Sequence, residues 1–250
     1  MAHKDSRAAV VRRSPARLAE RTAACLLVAL LASAASTEAQ ARDRSAYVEL
    51  GGGLLWLNDM NYGFEAIGLD DFATIQHKTG YDFSGAAGYD FGMFRAELEL
   101  GHKRAAVKQV DINGVVVGSP TDLELDASGH TSVTSAMLNL MLDVGRDDGL
   151  SGSIGGGFGW ANAHNETRGP MLSSDVEDSQ STMAFQLIAA ARYPISRTID
   201  AGIKYRYFQT RGNLDFDGRV KSTGGPFRIS DGRWSSHSLL LTLAINFNGR

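Results

Sequence analysis

Residues Tyr89–Ala105 read YDFGMFRAELELGHKRA, and from Phe94 onward apolar and polar side chains alternate. Phe94, Ala96, Leu98 and Leu100 fall on one side; Arg95, Glu97, Glu99 and Lys103 fall on the other. A period of two belongs to a β-strand, whose successive side chains point to opposite faces. Two arrangements satisfy such a strand. Either the charges meet water and the leucines pack a soluble core, or the leucines meet lipid and the charges point inward. The rest of the chain decides between them.

Working outward from this strand, eight segments alternate in the same way, at about 46–57, 79–91, 93–104, 132–145, 150–162, 182–194, 198–210 and 234–247. Three of the connections are brief: DFGM, GRDDG and PISR. The other four, 58–78, 105–131, 163–181 and 211–233, are long and polar. Short and long connections in alternation place all the long ones at one end of the sheet. That is the connectivity of a membrane-spanning β-barrel with tight inner turns and extended external loops. Eight is an even number, and strands of about ten residues match a tilted crossing of the bilayer. The sequence therefore predicts an all-β protein, an eight-stranded antiparallel up-and-down transmembrane β-barrel.

The rows can be given faces. Ala136, Leu138, Leu140, Leu142 and Val144 oppose Asn139 and Asp143; Ala201, Ile203, Tyr205 and Tyr207 oppose Lys204 and Arg206; Leu239, Leu241, Leu243, Ile245 and Phe247 oppose Ser238, Thr242 and Asn246. Closing the barrel collects the polar rows into one lumen, where Glu97 and Glu99 can meet Arg95, Lys204 or Arg206. Alternation alone would also suit a soluble core, but the aromatics weigh against it. Trp56, Trp160, Tyr207 and Trp234 sit at strand ends beside long loops, and Phe91, Phe94, Tyr193 and Phe247 sit beside short turns or the C-terminus. Two bands of rings around an aliphatic middle are what the two membrane interfaces select. The expectation is that these eight residues form interfacial girdles on the outer face.

The start of the chain agrees with export. Arg12, Arg13, Arg17 and Arg21 precede an uncharged run, TAACLLVALLASAAS, followed by small residues. A positive region, an apolar run of about 14 residues and an A-x-A site make a secretory signal peptide, too short for a membrane helix. Cleavage fits after Ala34 or Ala41; AQA beside the charged lead-in RDRS favours Ala41, giving a signal over 1–41 and a barrel domain over 42–250. Cys25, the only cysteine, falls inside the signal and ahead of most of the apolar run, so neither a disulfide nor a lipid anchor is expected. Removing 1–41 takes six of the 25 basic and three of the 28 acidic residues and leaves a net charge of about −6, which argues against a nucleic-acid partner.

The stretches YVELGGGLLWL, GYDFSGAAGYDFGMFRAELELGHKR, GSIGGGFGW, AARYPIS, IKYRYF and SHSLLLTLAINF resemble the OmpA-like outer-membrane β-barrel family of Gram-negative bacteria over essentially the whole chain after the signal. The resemblance implies a location in the outer membrane, surrounding lipid and lipopolysaccharide, delivery by the outer-membrane assembly machinery, a monomer, a part in envelope integrity, and loops that meet an extracellular ligand. Larger members add a peptidoglycan-binding domain; this sequence ends three residues after Phe247, so no tether to the cell wall is expected.

Sharper chemical motifs are weak. GGGFGW and LGGGLL lack the following helix that a phosphate-cradling loop needs, and glycines that let a narrow barrel bend and pack are the better account. DVED at Asp175–Asp178 and DFDG at Asp215–Gly218 lack the rest of a calcium-loop pattern. His77, His130 and His164 lie in different long loops at one end, and no shared metal site is expected there. Some eight-stranded outer-membrane barrels deacylate lipid A with a serine and a histidine. Here His237 and Ser238 point to opposite faces, while His237 and Ser235 share one without an outward carboxylate on that strand. The expectation is a structural surface barrel that is not an enzyme and needs no cofactor. A small low-conductance porin and a lipid-modifying enzyme are the alternatives. The porin is the weaker for its lumen, because eight strands leave an interior about wide enough for side chains.

Overall fold

The alternating rows fold as antiparallel strands. A computed structural model describes residues 45–64, 69–112, 123–126, 128–145, 149–168, 176–211, 214–219 and 226–247. The signal segment 1–41, with Ala41, lies outside the described residues. In chain order the strands are β1 (Ser45–Leu57), β2 (Met60–Phe64), β3 (Leu69–His77), β4 (Gly80–Asp90), β5 (Phe94–Ile112), β6 (Leu123–Asp126), β7 (Ser128–Gly145), β8 (Ser151–Arg168), β9 (Val176–Pro194), β10 (Ile199–Arg211), β11 (Leu214–Arg219), β12 (Pro226–Gly232) and β13 (Ser235–Asn246). Among the described residues there is no helix.

Eight of these strands close on themselves. Each pairs antiparallel with the next in the ring β1–β4–β5–β7–β8–β9–β10–β13, and β13 returns to β1 with Leu54 opposite Leu239 and Tyr47 opposite Asn246. Closure leaves no ladder edge in these strands, and in lipid an unpaired backbone group would cost several kcal/mol. The short turns sit together at one end. Between β4 and β5, Gly92 adopts φ 106°, a left-handed conformation that favours glycine, and its N–H donates to Asp90 Oδ1 at 2.8 Å. Between β9 and β10, Ser196 Oγ accepts the N–H groups of Thr198 and Ile199.

The opposite end departs from expectation. The sequence suggests loops over 58–78, 105–131, 163–181 and 211–233, whereas strands occupy much of each. β5 and β9 run for 19 residues, β7 and β8 for 18, well beyond the ten or so that cross a bilayer. The reason is that the alternation continues: Ala105, Val107, Val133, Ala161 and Ala163 still point inward and are buried. Beyond the ring, β12, β2 and β3 pair in series and join the far end of β5, with β11 on β12 and β6 on β5.

His77 marks where this extra sheet meets the barrel, at a register shift between β3 and β5. Its Nε2 lies 3.2 Å from Thr131 Oγ1, and burial pushes the imidazole down to about 4 from 6.5. The unfolded chain accepts a proton there near 6.5 and the folded one resists it until about 4. The contribution is therefore fully present above 6.5 and is lost as pH falls toward 4, up to about 3 kcal/mol. Hydrogen exchange over 69–77, corrected for intrinsic rates, should be faster at about pH 4.5 than at neutral pH, and His77→Gln should remove that difference. An unchanged profile in both proteins would contradict this role for His77.

Candidate functional site

The inward rows of the eight barrel strands fill the lumen in two layers. Nearer the short turns, the buried cations Arg95, Lys103, Arg192, Lys204 and Arg206 face the buried carboxylates Glu49, Asp82, Glu97, Glu99 and Asp143. Arg206 on β10 reaches across the lumen, donating from Nη1 to both oxygens of Asp82 on β4 at 3.0 and 2.9 Å and from Nη2 to Glu99 on β5 at 2.8 Å. Lys204 pairs with Glu49 and lies 4.0 Å from both Glu97 and Glu99. Arg95 bonds Asp143 at 3.0 Å and stands 3.8 Å from Glu97, while Arg192 approaches the other oxygen of Asp143 at 3.6 Å. Gln186 Nε2 donates to Asn139 Oδ1 at 2.7 Å and to Glu99 at 3.2 Å, and Tyr47 OH donates to Glu97. Buried charges survive when paired and hydrogen-bonded, and here opposite signs pair across strands far apart in sequence.

The glycines belong to this packing. A Cβ on Gly157 would stand 1.9 Å from Asn139 Oδ1, so the first turns of a side chain there would displace the amide that bridges Glu97 and Glu99. GGGFGW is thus barrel wall, continuing as strand from Gly155 to Trp160.

Above the charges the lumen turns apolar. Leu55, Val107, Val133, Met137, Ala161, Phe208 and Trp234 form one buried cluster, and the Lys103 ammonium sits 4.4 Å from the centre of the Phe208 ring at the boundary. The lumen thus carries a charged tier beneath an apolar cluster.

The sequence-derived charges Arg95, Glu97, Glu99, Lys204 and Arg206 all lie in the lower tier and come together. Glu49, Asp82, Lys103, Asp143 and Arg192 complete it. The first two stand alone among apolar or glycine neighbours, and the signal was their parity: each shares the inward row of its strand. Of the aromatics assigned to the girdles, Trp56, Phe91, Phe94, Trp160, Tyr193 and Phe247 are exposed on the outer face, and Tyr207 is half-buried there. Trp234 is a correction. It is fully buried inside the barrel, with Nε1 donating to Ser236 Oγ at 3.0 Å. Its position explains this: 234 has the parity of Ser236 and Ser238, which point inward, although it lies beside a long connection.

The outer surface changes character along each strand. Leu98 and Leu100 give way to His102 and Arg104 on β5, Leu138 and Ala136 to Thr134 and Ser132 on β7, and Phe158 and Trp160 to Asn162 and His164 on β8. The switch follows Trp160, which marks one edge of a lipid-matched band. On β13, Ser235 and His237 share the outer face. Ser235 Oγ accepts from Asn58 Nδ2 at 3.1 Å and donates to Tyr207 OH at 3.2 Å, and His237 Nδ1 pairs with Tyr205 OH at 2.6 Å. The serine and histidine are thus each held by a tyrosine. The side chains of Asp175–Asp178 and Asp215–Gly218 lie outside the described residues.

A family model described as outer membrane protein beta-barrel domain matches residues 25–224. This chain belongs to that family. Its place is the outer membrane, and the outer apolar band is the surface that meets lipid. Among solved structures it is similar to the outer membrane protease OmpT from Escherichia coli (8% identity, covering 84% of this chain and 100% of that one, TM-score 0.53). It is also similar to the outer membrane protein OprG from Pseudomonas aeruginosa (11%, 83% and 99%, TM-score 0.52) and to a major outer membrane protein from Thermus thermophilus (13%, 82% and 100%, TM-score 0.50). At these identities the likeness is one of fold. No curated protein matches the sequence.

Proposed function

We propose that this outer membrane barrel is a structural and surface-interaction protein that supports the envelope, and that it neither conducts appreciably nor catalyses a reaction. The observation that carries the reading is the double layer that fills the lumen, an ion-pair tier beneath a buried apolar cluster. Export by the signal over 1–41 with cleavage after Ala41, delivery by the outer-membrane assembly machinery and insertion as a monomer belong to the same proposal. Lipopolysaccharide is its lateral partner: Arg104 and Lys108 extend the outward row of β5 just past the apolar band, where lipid phosphates lie. The elongated external strands and their added sheet offer the surface for an extracellular ligand.

Planar bilayer recordings of the refolded protein test this reading. The expected result is rare or small openings. Stable porin-sized steps from single insertions would overturn it in favour of the small channel. The enzymatic alternative rests on Ser235 and His237. It would require lipopolysaccharide to lose an acyl chain on incubation with the protein, and Ser235→Ala to abolish that loss.

A further inference from the structure

We propose that His130, His164 and Glu166 form a binding site for a divalent transition-metal ion of the zinc type on the outer face of β7 and β8. One ligand atom from each of the three lies within 4.8 Å of the others, and all three side chains are half-buried. The ladder explains the grouping. His130 stands directly opposite Glu166, and His164 faces Ser132, the next outward position on β7 after His130. All three side chains therefore project from the same face of one antiparallel pair, from adjacent positions of its outward rows.

The donor set selects the metal. Two imidazole nitrogens and a carboxylate oxygen suit zinc, copper, nickel or cobalt, whereas magnesium and calcium prefer oxygen alone. Bonds of about 2.0–2.2 Å in tetrahedral geometry hold donor atoms about 3.3 Å apart, so the three groups need to close by about 1.5 Å. That closure calls for side-chain rotation, and all three side chains are only half-buried. Part of the arrangement is already tight. His130 Nδ1 lies 3.4 Å from Glu166 Oε2, the two imidazole centres are 6.2 Å apart, and Ser179 Oγ on β9 lies 3.0 Å from His164 Nδ1. A contact of the last kind fixes the ring of a metal-bound histidine and leaves its other nitrogen for the ion. Three protein ligands leave a fourth position for water or an outside ligand.

The site lies past Trp160 on the polar side of the membrane boundary, so the ion arrives from water without crossing lipid. Bound there, it would clamp the protruding ends of β7 and β8. The bland alternative is a surface histidine–glutamate pair beside a second histidine.

Calorimetric titration of the refolded, detergent-solubilised protein with zinc separates the two, with cobalt absorption spectra as a second readout. One equivalent should bind with a dissociation constant in the micromolar range or below, and cobalt should give the intense visible bands of a four-coordinate site. His130→Ala and His164→Ala should each weaken zinc binding at least about tenfold, with Glu166→Gln of similar size, while His102→Ala should not. Heat-dependent gel mobility shows that each variant still forms the barrel. Zinc binding that is absent at millimolar concentration, or that survives both histidine substitutions, would overturn the proposal.

Discussion

Replacing Arg206 by methionine should lower the unfolding free energy in lipid by about 3–5 kcal/mol, the cost of stripping a buried ion network of one partner. Arg206 is fully buried and bridges Asp82 and Glu99 from across the lumen, so its loss strands two carboxylates on strands β4 and β5 at once. Lys103 lies 3.7 Å from Asp82 and can offset part of the loss for that carboxylate, while Lys204 is 4.0 Å from Glu99. Neither replaces a guanidinium that spans the two carboxylates with separate nitrogens. Adding Asp82→Asn and Glu99→Gln to Arg206→Met should recover most of the stability, because the penalty is the unpaired charge rather than the missing attraction. Denaturant titrations in vesicles measure both. A single substitution that costs under about 1 kcal/mol would mean that water reaches this tier and screens it.

The second large effect concerns the outer face. Leu98→Arg should destabilise the inserted barrel by about 2–4 kcal/mol, because Leu98 is 68% exposed, in the apolar band that the first part of β5 turns toward lipid. Glu97→Gln on the neighbouring inward position should cost less, since its remaining oxygen can still accept from Tyr47 and the nearby cations keep other partners, Arg95 in Asp143 and Lys204 in Glu49. Spin labels give a direct contrast. A label at 98 should be reached by oxygen dissolved in lipid and shielded from a polar nickel reagent, and a label at 97 should show much less oxygen access. The reverse pattern would mean that the faces of the strand are exchanged, and full access of the nickel reagent to both would remove the membrane strand altogether.

The opening stretch was enough to place Arg95, Glu97 and Glu99 inside and Leu98 outside, because a membrane barrel imposes a strict period of two with a known sign on each face. The same periodicity in eight segments, with its sorting of turn lengths, made the ring order legible. What stayed hidden was set by contacts between distant strands. Parity says that Asp82 and Arg206 both point inward, but only the register of β4 and β10 around the ring brings them within bonding distance. The outer ends of β5, β7, β8 and β9 read as loops because their outward rows turn polar past the membrane band, which dilutes the signal; on β5, β7 and β8 small and apolar residues such as Val107, Val133 and Ala163 still point inward, and the strands continue. Trp234 misleads in the opposite sense, because a tryptophan beside a long connection suggests the membrane interface while its parity points it inward. The grouping of His130, His164 and Glu166 was hidden because the sequence places them in separate polar connections, whereas they stand on neighbouring strands of one ladder.

The outward rows have a consequence for descent. Leu98, Leu100, Leu140, Leu187 and Leu241 present most of their surface to acyl chains, a fluid partner that asks only for hydropathy and approximate length of the row. One aliphatic residue can succeed another there with no answering change elsewhere, so about half of each strand is free to drift. The inward rows have no such freedom, because a change at Arg206 is felt on β4 and β5 together. Related barrels can therefore lose recognisable sequence while keeping their shape, and what ancestry they retain will lie in matched substitutions across the lumen rather than in any continuous stretch of chain.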